Sequence, residues 1–94
     1  MATLSIAKKH NLTHKKAKAA AQKVADDLRE RFDLEYTWRG DCIDFQRSGL
    51  SGTLFVEKNE VRLECRLGFL LSALKPSIER EVHREFDKQF SASP

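Results

Sequence analysis

Hydrophobic and polar residues along this chain follow two periods, and the switches between them mark out its elements. Thr3-Leu4-Ser5-Ile6 alternates, with Leu4 and Ile6 on one face, which predicts a short strand. Asn11-Leu12-Thr13 breaks the pattern, and Thr13 is suited to cap a helix. From His14 to about Arg31 the residues are strong helix formers. Ala17, Ala21, Val24, Leu28 and Phe32 step by three or four and form one buried stripe. Alanines in that stripe imply a close approach to whatever lies beneath. Lys15, Lys16, Lys18 and Lys23 fill the outer half.

After Phe32-Asp33 the period changes to two. Leu34, Tyr36 and Trp38 share a face, Gly40-Asp41 turns the chain, and Ile43 and Phe45 point inward from the next segment. Cys42, Asp44 and Gln46 point out. Ser48-Gly49 turns again, Leu54 and Val56 point in, and Lys58-Asn59 makes a third hairpin turn. Val61, Leu63, Cys65 and Leu67 then face inward against Arg62, Glu64 and Arg66. Four strands on short polar turns predict an antiparallel meander with one apolar and one wet face.

The last element returns to a helical period. Ile78, Val82, Phe86 and Phe90 recur every four residues, with Glu79, Arg80, Glu81, Arg84, Glu85 and Lys88 assigned to the outside. Pro76 fits the first turn of a helix beginning near Lys75, with Ser72 to Leu74 as a separate turn before it. The order is β-α-β-β-β-β-α. Two amphipathic helices bury their stripes most simply on the same side of the sheet, so the fold class is α+β. The expected core joins Trp38, Phe45, Leu54, Leu63, Val82 and Phe86, while Glu35, Asp44, Arg62 and Glu64 stay wet.

Composition narrows the picture. Ninety-four residues with 40% hydrophobic content make a single domain, expected to be ordered over about 3–90, with Ser91-Ala92-Ser93-Pro94 as a frayed end. No signal peptide or spanning segment is visible, which makes the cytoplasm the expected compartment. Charge is uneven: residues 1–31 carry eight Lys/Arg against three acids, and the remainder carries nine against eleven. Cys42 and Cys65 fall on strands two spacings apart, roughly 9.6 Å, beyond the reach of about 7 Å for a disulfide. Both are expected to be free.

Candidate chemistry is sparse. His10, His14 and His83 show no shared spacing, and Asn11 and Thr13 separate the first two at a strand-to-helix junction, which argues against zinc. The serines form no nucleophile elbow, no glycine loop cradles a phosphate, and Gly49-Leu50-Ser51-Gly52 is explained by hairpin geometry. No enzyme activity and no cofactor are expected. The lysines are suited to phosphate contacts. A strand-binding sheet wants aromatic platforms, however, and the wet face has only Phe55 among Glu35, Asp44 and Glu64.

The segments "YTWRGDCIDFQ" and "RSGLSGTLFVEKNEVRLECRLGFLLSALKPSIEREVHREFD", opened by "ATLSIAKKHNLTHKKAKAAAQKVADDLRERF", resemble the polyhydroxyalkanoic acid system protein family. These are small bacterial proteins encoded beside genes for polyester storage granules. The most specific parts are Arg47-Ser48-Gly49 with Gly52, and Leu67-Gly68-Phe69-Leu70-Leu71 leading to Ile78. The resemblance implies an association with granule biosynthesis, use or surface, with the granule or its coating proteins as partner. It carries over no catalytic residue.

Three functions follow as expectations: a non-enzymatic granule accessory protein, a nucleic-acid- or ribosome-associated protein using the basic first helix, and a carrier of a small apolar ligand. An exposed sheet edge leaves a homodimer open. The stretch from Leu67 to Phe86 bears most on the first. Taken as helix, it places Leu71, Leu74, Ile78 and Val82 on one core stripe. Phe69 and Leu70 then either cap the end of the core, the plainer expectation, or form an exposed apolar tip for a partner.

Overall fold

In the computed structural model, which describes residues 2–90, the period-two segments become one five-stranded antiparallel sheet. The strands are β1 (Ala2–Lys9), β2 (Glu35–Arg39), β3 (Cys42–Arg47), β4 (Leu50–Val56) and β5 (Glu60–Leu67). The helices are α1 (His14–Phe32) and α2 (Lys75–Phe90), with a 3-10 helix over Phe69–Leu74 between β5 and α2. The expected frayed end lies outside the described residues. Strand order is β1-β5-β4-β3-β2. The meander therefore stands as read, and β1 is added at its β5 edge in the register Ala2↔Leu67 through Lys9↔Glu60. α1 carries the chain from one edge of the sheet to the other.

α1 begins where the capping signal sits. Thr13 has an extended backbone, and its Oγ1 accepts from the Lys16 amide at 3.2 Å. It ends on Asp33 in the left-handed conformation, φ 56°, which Asp tolerates. Ala17, Ala20, Ala21, Val24, Ala25 and Leu28 are all buried, a wider face than the single stripe predicted. Their small side chains bring the helix close to Ile43, Leu54 and Leu63 in the same core.

Two details correct the sequence reading. Trp38 is half-buried, because β2 is an edge strand and its ring reaches only the flank of α1. Its Nε1 donates to Gln22 Oε1 at 2.6 Å, and Lys18 Nζ lies 5.0 Å from the ring centroid. Glu85, assigned to the outside, is only 2% exposed. α1 and α2 lie side by side, so the flank of α2 that meets α1 is covered as well as the stripe that meets the sheet. Along that seam Arg31 Nε stands 2.8 Å from Glu81 Oε2, and Asp27 lies within hydrogen-bonding reach of Glu85.

Glycine serves two different needs in the β3–β4 hairpin. Gly49 takes φ 85° in the turn, where only glycine is unstrained. Gly52 lies within β4 and faces the helices, and a Cβ there would meet the Glu64 carbonyl oxygen at 2.8 Å. Close approach of β5, not turn geometry, explains the second glycine. Cys42 and Cys65 are both free, and burial pushes the Cys65 thiol up to about 11.

Candidate functional site

β5 ends where Leu67 pairs with Ala2 on one side and Leu50 on the other. The Gly68 amide then donates to the Gly49 carbonyl at 2.7 Å, tying the chain to the β3–β4 turn. A 3-10 helix starts there, closed by Leu71 N donating to Gly68 O at 3.1 Å and Ser72 Oγ donating to Phe69 O at 2.9 Å. With about three residues per turn, this helix turns its side chains differently from the α-helical stripe expected. Leu71 folds back and half-buries itself beside Gly49. Leu74, expected in the core, is 40% exposed because it lies beyond the sheet's end.

Phe69 and Leu70 are 82% and 86% exposed. They do not cap the core, and the plainer expectation is overturned. Together with Leu74 they are the large apolar side chains left in water among the described residues. Apolar side chains clustered in water mark contact sites more often than isolated ones do.

The lysine cluster lies elsewhere. α1 starts at the Lys9 end of β1, whereas the 3-10 helix leaves from the Ala2 end, so Lys15, Lys16 and Lys18 lie at the end of the molecule opposite the tip, with Lys23 midway along α1. At about 1.5 Å per residue, α1 alone separates Lys15 from the level of Phe32 by roughly 25 Å. Nor is the cluster uniform. Lys15, Lys16 and Lys23 are exposed, but Lys18 is held 3.4 Å from Asp41 and over Trp38. Lys8 pairs with Asp87 at 3.1 Å.

The histidines are engaged locally. Buried His10 accepts the Leu12 amide at Nδ1 and donates from Nε2 to the Glu57 carbonyl, while its ring packs on Phe90 at 5.5 Å. Exposed His14 meets Asp41 at 3.1 Å, and that contact, reinforced by Lys18, holds the Asp41 carboxyl below its ordinary range. Among the described residues no three His, Cys, Asp or Glu side chains converge as metal ligands.

The face of the sheet turned away from the helices is a shallow hollow of about 790 Å3, lined by Ser5, Ser51, Thr53, Gln46 and their neighbours. Much of its charge is paired internally. Asp44 binds Arg39 at 2.8 Å and accepts from Thr53 at 2.9 Å, and Arg62 lies 3.3 Å from Glu64 and over Phe55. The Arg39 bond, with Thr53 second, holds the Asp44 carboxyl below its usual range. Arg62 thus covers the aromatic platform a nucleic acid base would need.

Position in the fold also brings out residues that spacing had not singled out. Arg66, on the penultimate residue of β5, and Lys75, immediately after Leu74, bracket the exposed tip. Their proximity in sequence was visible, but only the exposure of the residues between them makes it matter. No helix among the described residues is long and apolar enough to cross a membrane.

Compared with protein families, residues 4–90 match the model for polyhydroxyalkanoic acid system proteins, a family whose assignment to that system is provisional. No match was found among curated proteins or among solved structures. The matched span runs from β1 through the whole sheet and both helices and includes the Phe69–Leu70 tip. From Leu4 to Phe90 the chain belongs to the polyhydroxyalkanoic acid system protein family.

Proposed function

We propose that this is a non-enzymatic accessory protein that works at the polyhydroxyalkanoate granule, on its surface or on the proteins coating it. It acts by contact and not by turnover, in the bacterial cytoplasm where such granules would lie. Family membership supports the setting. The observation that carries the contact is the exposure of Phe69 and Leu70 on a short helix tied down at both ends, by Gly68 to the hairpin and by Lys75 to α2. Two large apolar side chains held outward by a fixed backbone suit a surface that meets another apolar surface.

The carrier reading has less support. The apolar void between sheet and helices, lined by Phe45, Gly52, Leu63 and Val82, is about 20 Å3. That is the volume of roughly one water-sized probe and gives an apolar ligand no room. The nucleic-acid reading keeps Lys15, Lys16 and Lys23 but loses Lys18 to its internal partners.

Granules recovered from polymer-accumulating cells test the proposal. The wild-type chain should co-purify with them, and a Phe69→Ser, Leu70→Ser variant with unchanged melting temperature should remain in the supernatant. Equal recovery of both proteins would remove the tip from the account.

A further inference from the structure

We infer that this end of the molecule is an insertion tip for an anionic phospholipid surface, with Phe69 and Leu70 entering the acyl layer and Arg66 and Lys75 resting among the headgroups. The inference rests on the reading of the tip as the contact surface and adds the chemistry it meets. Phe69, Leu70 and Leu74 project from one 3-10 helix, the first two more than four-fifths exposed. Arg66 precedes Phe69 by three residues and Lys75 directly follows Leu74. Among the described residues neither makes an ion pair.

The nearest acid to Arg66 is Glu64, two residues back on the same face of β5, and its carboxylate is engaged by Arg62 at 3.3 Å. Glu35 belongs to the β2 edge of the sheet, three strand spacings from β5, roughly 14 Å. Glu79 sits one helical turn beyond Lys75, further from the tip. Apolar side chains with unpaired cations around them match a surface of acyl chains under anionic headgroups, and attraction to such headgroups acts within a Debye length. A bare polyester has no fixed anions to select those cations. A protein partner would need a groove shaped for a convex tip.

Flotation of the full chain with vesicles of mixed phosphatidylglycerol and phosphatidylcholine tests this directly. The wild type should float with the mixed vesicles, bind pure phosphatidylcholine weakly, and lose binding as salt rises. Replacing Arg66 and Lys75 with Gln should weaken binding about 30-fold. Phe69→Ser, Leu70→Ser should abolish it. All of these positions are at least partly exposed, and melting temperature checks that each variant folds. Should the double serine variant fail to fold, the Arg66→Gln, Lys75→Gln variant and the salt series still decide. Equal affinity for neutral and anionic vesicles would overturn the inference. So would retention on granules through the tip without any vesicle binding, a result that leaves the granule reading standing. A tip variant that changes only the oligomeric state would assign the surface to a second copy and overturn it as well.

Discussion

Phe86 has 1% of its surface in water and meets Phe90 edge-on, with ring centroids 5.9 Å apart. Phe86→Ala should therefore cost about 3–5 kcal/mol in chemical unfolding, and a loss below about 1 kcal/mol would mean the site is not packed as described. Glu85, its neighbour, behaves differently. Burial first, then the Asp27 carboxyl and Glu81, push Glu85 up from 4.5 to about 7, against the opposing pull of Lys88. One of its oxygens, Oε1, is buried without a hydrogen-bond partner among the described residues. The folded state binds this proton more tightly than the unfolded state. Its favourable contribution is therefore complete below about pH 4.5 and is lost as pH rises through about 7. Glu85→Gln keeps the shape and removes the titration, so its melting temperature should exceed that of the wild type at pH 8 and converge with it near pH 4.5. A constant difference across that range would show that folding does not raise the Glu85 pKa.

At the scale of elements, the strands and helices were legible because alternation and the three-to-four step are local signals, and both held. What was not legible was which flank of an element another element covers. Trp38 and Glu85 were misplaced for that reason: one sits on an edge strand with only half a neighbour, the other on a helix flank closed by α1. Leu74 is misplaced because periodicity does not show where a buried stripe stops: it lines up with Leu71 in the 3-10 segment yet is 40% exposed. Gly52 looked like a turn residue until β4 and β5 were paired. Gly52→Ala should destabilise by about 1–3 kcal/mol through the clash with the Glu64 carbonyl, as read from urea unfolding, and an unchanged midpoint would show that β5 yields easily. α1 yields a further element-scale prediction. Lys18→Glu should lower the melting temperature, since it sets a carboxylate beside Asp41. Lys15→Glu with Lys16→Glu should not lower it, since acids in the first turn of α1 interact favourably with the helix N-terminus. The reverse order would contradict the assignment of Lys18 to a structural pair.

The whole molecule has two chemically different ends. One carries the α1 N-terminus, with Lys15, Lys16 and the His14–Asp41–Lys18 contacts, and the other carries the Phe69–Leu70 tip with Arg66 and Lys75. The sheet-to-helix layer between them holds a core with little free volume. The lysines and the Phe69–Leu70 pair are legible in the sequence, but that they face opposite ways is not, because it follows from β1 pairing antiparallel with β5. The consequence for function is that one end can engage a surface while the other stays in water. The most direct measurement is sedimentation of purified protein with isolated granules, comparing the wild type with Phe69→Ser, Leu70→Ser and with Lys15→Glu, Lys16→Glu, Lys23→Glu. The account predicts that the tip variant stays in solution while the lysine variant pellets like the wild type. A lysine variant left in solution beside a tip variant that pellets would contradict it.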